Sequence, residues 1–159
     1  MARHSRRNRL VAVLFAAAMT LGLAGLVRSE EVSSEEKARL HKLDTGPATI
    51  DVSKYPADEQ SAYTLFQKKC AQCHKIARPI NSHFVLPGEW ERYIKRMMYK
   101  PNSKLKEDDA KTIYRFLTYD SSVRKADSLR VHLKSLPASD REEALEKIHK
   151  VNPAFKEEK

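Results

Sequence analysis

Cysteine and glycine are both scarce: the 159 residues contain two of the first, four of the second and a single tryptophan. Two cysteines exclude a disulfide-stapled framework and a four-cysteine zinc site. Four glycines leave few places for tight hairpins, and no stretch alternates apolar and polar residues convincingly over the length of a strand. No repeat of fixed period is present. Aromatic residues make up 8% and charged residues 32%, so the core is small for the length of the chain. Of the 30 Lys and Arg, five arginines fall in residues 1–29, which contain no acid; the rest of the chain sets 25 basic residues against 21 acidic. That surplus is mild, has no block of like charge, and excludes the dense basic footprint of a nucleic-acid binder. A solvated surface accounts for it more simply than steering toward an acidic partner.

What is present begins at the N-terminus. Arg3, Arg6, Arg7 and Arg9 precede an uncharged run over residues 10–27, closed by Arg28-Ser29-Glu30-Glu31. This is the basic and apolar order of an export signal. Ser5-Arg6-Arg7 brushes a twin-arginine pattern, but the segment reads as Sec-type. The run is also at the lower edge of a membrane-spanning length. Residues 1–29 are therefore an export signal or an uncleaved N-terminal anchor.

Both cysteines stand in Cys70-Ala71-Gln72-Cys73-His74. C-x-x-C-H is the attachment sequence of c-type haem. Two thiols three residues apart on a helical turn can each form a thioether to a porphyrin vinyl group, and the next residue places a neutral imidazole beneath the iron. A thioredoxin-like pair wants a βαβ context, zinc wants four ligands, and a disulfide at this spacing is strained. Haem c is attached outside the cytoplasm, so motif and export signal agree.

The flanks read as helix. Residues 56–69 open on Pro56 with Asp58 and Glu59 at the positive end, and Ala62, Leu65, Phe66 and Lys69 trace one face. Residues 75–88 have turn chemistry and no period; a carbonyl there is expected to accept the ring N–H of His74. Arg78 is either a partner for a haem propionate or a solvent-facing arginine. A second helix spans residues 89–99, with Trp90, Tyr93, Ile94 and Met97 on one face and Met98 about a third of a turn away. After Pro101-Asn102-Ser103 a third helix begins with Glu107, Asp108 and Asp109; Ile113, Phe116 and Leu117 supply its apolar side. Residues 30–55 are a polar, mobile leader with a short helix from Ser33 or Ser34 through Leu43, ended by Gly46-Pro47; His41 within it is solvated.

A first helix running directly into C-x-x-C-H resembles the class I-like c-type cytochromes. The run Trp90-x-x-x-Ile94-x-x-Met97 is similar to a pattern in small bacterial monohaem and multihaem cytochrome domains, where a further helix ends the domain. The resemblance covers residues 57–119. It implies an all-α fold, a small cytochrome c-like domain over residues 56–120 wrapped around one covalent haem, which supplies much of the missing core. Cys70 and Cys73 would attach the haem, with His74 as proximal and Met97 as distal iron ligand. It also implies that the last helix packs across the first, joining Leu65 or Phe66 to Phe116 or Leu117. The ordinary reading of Met97 is a core-filling thioether; Met98 and then His83 follow it as candidate ligands. The function implied is single-electron transfer between redox proteins rather than catalysis, with redox proteins or a larger oxidoreductase complex as partners. A haem enzyme or sensor with a displaceable sixth ligand is the rival, and His83 is its one candidate acid–base group.

Residues 121–159 lie outside the pattern as a helical extension. Val123, Ala126, Leu129, Leu133 and Leu136 predict a helix over 122–136, and Pro137 stops it. Ser139-x-x-Glu142 is a capping box for a second helix to Val151. The hairpin either packs on the core or docks a redox partner; burial is the more ordinary use of such stripes. His132 and His149 have no motif around them.

Overall fold

Residues 32–158, which the computed structural model describes, contain seven helices and no strand. They are α1 (Ser34–Asp44), α2 (Ala57–Cys70), α3 (Ala77–Ile80), α4 (Pro87–Met98), α5 (Glu107–Arg124), α6 (Ala126–Ser135) and α7 (Ala138–Val151). The proposed export segment lies outside the described residues. Among the described helices, none is long and apolar enough to cross a membrane.

Local chemistry sets the ends of the three central helices. The Pro56 carbonyl accepts from the amides of Glu59 and Gln60, and the Pro ring costs α2 no amide at that position. At the start of α4, the Glu89 carboxylate accepts from the amides of Val85 and Leu86, at 2.9 and 2.8 Å. It thereby satisfies donors that an α-helix leaves unpaired at its N-terminus. Three acids in the first turn of α5 face its positive end. One of them, Asp109, also reaches Lys69 near the end of α2 at 2.7 Å.

α5 is the axis of the fold. Its Ile113, Phe116 and Leu117 are buried against α2 and α4 with Phe66 and Trp90. The Phe66 and Phe116 ring centroids are 5.5 Å apart, which is the helix crossing anticipated between the first and last elements. The inward face of α2 is Glu59, Ala62, Tyr63 and Phe66; Leu65 is only partly buried and Tyr63 takes the place expected for it. α5 continues past residue 120 to Arg124, and its last turns bury Asp120, Ser121 and Ser122. These polar groups are paired. Asp120 accepts from the Tyr55 hydroxyl at 3.0 Å and from Arg124, and Ser121 accepts from the Trp90 indole N–H at 2.8 Å.

A second apolar cluster joins Leu129 and Leu133 of α6, Ile148 of α7, Phe155 and Val85. Because Val85 precedes α4, the extension is packed on the same body rather than hanging from it. Two local expectations are corrected here. The helix predicted over 122–136 is broken at Lys125 (φ −111°, ψ 23°), whose ammonium donates to the carbonyls of Ser82 and Phe84 at 2.7 and 3.2 Å. The second helix is capped at Pro137, whose carbonyl accepts from Arg141 N; Ser139 already lies inside the first turn and bonds Asp140 instead.

Residues 34–55 make specific contacts with the rest of the chain. Asp44 pairs with Arg78, whose Nε lies 2.9 Å from a carboxylate oxygen. The Tyr63 hydroxyl accepts from Ile50 N at 2.9 Å, and Ile50 is buried in the first cluster.

Candidate functional site

The site starts where α2 stops. Cys70 is the last residue of that helix and is partly buried, while Cys73 is exposed in the following turn; both are free thiols. Burial pushes the Cys70 thiol up to about 12. His74 Nδ1 lies 3.0 Å from the carbonyl of Lys75. The carbonyl expected from the 75–88 segment is therefore that of the neighbouring residue. With the proton on Nδ1, the lone pair on Nε2 faces the Tyr93 hydroxyl at 3.2 Å, a self-consistent tautomer. Burial also holds the Tyr93 phenol above its usual range, so it stays protonated.

Cys73, His74, Tyr93 and Met97 line one cavity of about 530 Å³, with the Phe84 ring on its wall. That volume is of ligand size. Consecutive residues on a helix diverge by about 100°, and the two methionines are separated accordingly. Met97 faces this cavity, whereas Met98 lines a groove of about 650 Å³ with Ile94, Ala110 and Tyr114. That groove contains no cysteine or histidine. His83 is exposed, with its ring against Phe84 at 4.7 Å between centroids, and it does not line the cavity.

The margin of the cavity is cationic. Arg39, Arg78, Arg96 and Lys100 line it, and Glu36 is the one carboxylate among the described lining residues. Arg39 grips Glu36 through two bonds of 2.7 Å. Glu36 is held below the usual carboxylate range chiefly by that bond, with Arg78 and Arg96 adding to it. Arg78 is half-buried and paired to Asp44, so it is neither a loose surface arginine nor an unpaired one. The arrangement can hold a flat apolar group with an anionic edge.

The sequence puts Tyr93 on the face of Met97 without giving its hydroxyl a partner, and it offers α1 no part in the cavity wall. The clue was available in the spacing of Glu36, Leu40 and Leu43, which puts them along one side of the helix. Among the described residues, no three His, Cys, Asp or Glu are grouped to hold a metal ion. His132 and His149 bond the carbonyls of Ser128 and Phe155. Family models, curated proteins and solved structures provide no match to this chain.

Proposed function

We propose that this chain is an exported monohaem c-type cytochrome that passes single electrons between redox proteins. The observation that carries this reading is that Cys73 and His74 of the C-x-x-C-H motif open onto the cavity whose wall includes Met97. The residues present fit one covalent haem: a cavity-lining thiol at Cys73, a second free thiol at Cys70 that packs against the first apolar cluster beside it, an imidazole with Nδ1 already engaged, a thioether and an aromatic wall. The Tyr93 hydroxyl bonds the same Nε2 that would meet iron. A hydrogen bond of this kind is worth about 0.5–1.5 kcal/mol net, too little to compete with an iron–imidazole bond.

Cys70 and Cys73 would attach the haem, and His74 and Met97 would hold its iron. Haem, when bound there, supplies a ferrous–ferric couple whose potential follows from ligand, dielectric and nearby charge. The chain does the rest. The Lys75 carbonyl fixes the imidazole tautomer and strengthens its basicity. Phe84 and Tyr93 exclude water from the wall, and the cationic margin receives the carboxylate edge. A carrier needs both ligands retained in both oxidation states, so that little reorganises on transfer. His83, the acid–base candidate of a haem enzyme or sensor, sits behind Phe84 and does not line the cavity, which weighs for the carrier. The place of work is the periplasm or another extracytoplasmic space, with residues 1–29 cleaved or retained as an anchor.

The test is expression of the whole chain in a host that exports and matures c-type cytochromes. Haem should stay with the polypeptide through acid–acetone extraction and denaturing electrophoresis. Its release under either condition would end the reading.

A further inference from the structure

α1 combines two properties that rarely occur together. It is strongly polar, with Leu40 and Leu43 as its only large apolar residues and no fully buried position, yet it is fastened. Asp44 at its end pairs with Arg78, and the Asn81 amide donates to the carbonyls of Leu43 and Pro47 at 3.1 and 2.9 Å. Gly46 makes that approach possible, since a Cβ there would lie 2.5 Å from the Asn81 amide nitrogen. Arg78 belongs to α3 and Asn81 caps it, so α1 is fastened to the segment that follows the C-x-x-C-H motif.

A polar helix held in this way presents its apolar residues somewhere. Leu40 and Leu43 are half-buried and belong to neither apolar cluster. Both line the cavity that contains Cys73, His74 and Met97. Arg39 brings a guanidinium to the same cavity as Arg78, Arg96 and Lys100. Against these four cations stand Glu36, bound to Arg39, and Asp44, bound to Arg78. Among the described residues two positive charges remain in excess, which matches a group carrying two carboxylates.

We infer that α1 is part of the haem-binding site, with Leu40 and Leu43 giving apolar cover to the haem and Arg39 joining Arg78 and Arg96 at its carboxylate edge. This rests on the haem reading above. It goes beyond that reading because α1 lies outside residues 57–119, the stretch that resembles c-type cytochromes. It also gives residues 34–44 a role: they complete the site from outside the domain that contains the motif.

The experiment uses the exported, full-length holoprotein with four variants: Leu40→Ser/Leu43→Ser, Arg39→Gln, Arg39→Lys, and Lys42→Ala as a control at an exposed position off the cavity. Covalent haem is measured first in the wild type; its absence there ends the haem reading itself. With haem attached, the readouts are reduction potential by redox titration and amide hydrogen exchange of residues 34–44. The double leucine variant should show a lower potential, because water reaching the site favours the ferric charge, and should lose exchange protection in α1. Arg39→Gln should also lower the potential, while Arg39→Lys restores it and Lys42→Ala changes neither readout. If the double variant fails to mature, Leu43→Ala is read in the same way. A haem-loaded set in which every variant keeps the wild-type potential would overturn the role of α1 and leave the cytochrome reading standing.

Discussion

Met97 and Met98 are neighbours in the chain, yet they face different cavities on two sides of α4. Substitution should separate them sharply. Met97→Ala in the haem-loaded protein is expected to remove the weak near-infrared band of ferric methionine ligation, lower the reduction potential and admit exogenous ligands at the sixth position. Met98→Ala should leave these three properties as they were and cost about 2 kcal/mol or less, the lower end for a partly buried methionine. Optical titration of both variants checks this, and reversed behaviour would mean that the register of α4 is misassigned. At His74 the expectation is simpler: His74→Ala should remove the proposed proximal ligand, and a normal low-spin spectrum in that variant would contradict its role. Tyr93→Phe should keep the low-spin spectrum of the wild type, since its hydroxyl only occupies Nε2 through one hydrogen bond; spectra of the purified variant decide it.

Among the elements, α5 builds much of the first apolar cluster. Its Phe116 is fully buried, with Tyr63 and Phe66 at centroid distances of 5.4 and 5.5 Å. Phe116→Ala should therefore destabilise by about 3–5 kcal/mol, as for other buried aromatics, read by denaturant unfolding. This crossing was legible because 3.6-residue periodicity places Ile113, Phe116 and Leu117 on one side of α5 without reference to anything distant. The break at Lys125 was not legible. Apolar spacing runs on across it through Val123 and Ala126, and what turns the chain is an ammonium reaching carbonyls 41 and 43 residues away. Val123, predicted as part of the stripe, is 43% exposed as a result. The fastening of α1 was hidden for the same reason, since its partners Arg78 and Asn81 are more than thirty residues distant. For the site, the motif and the split between the two methionines were readable from spacing alone. The Tyr93 contact and the basic margin needed the folded chain.

For the molecule as a whole, the same lysine predicts how stability responds to pH. Burial, assisted by Arg124, brings the Lys125 ammonium down to about 8, with Asp120 and Glu89 opposing; in the unfolded chain it titrates near 10.5. Between these values the unfolded state binds the extra proton, so this group makes stability rise with pH across that window and contributes no slope below it. Denaturant midpoints at pH 7.5 and 9.5 should show a gain in the wild type that is absent in Lys125→Met; equal pH responses in the two proteins would sink the assignment. The Met variant should also be weaker at both values, because the carbonyls of Ser82 and Phe84 lose a donor.

Trp90 is the only indole in the chain. It is fully buried, bonded to Ser121 near the end of α5, and lies beneath the Lys125 ammonium at 5.3 Å. Its ring also meets Phe84 and Tyr93, which line the cavity, at 5.6 and 6.0 Å. One fluorophore therefore touches the cavity wall and the end of α5 at once. Its emission should be nearly dark beside a bound porphyrin, because energy passes efficiently over so short a distance. It should brighten and move to the red when the helices separate. A single emission spectrum thus distinguishes loaded, unloaded and unfolded chains without a label or an added probe.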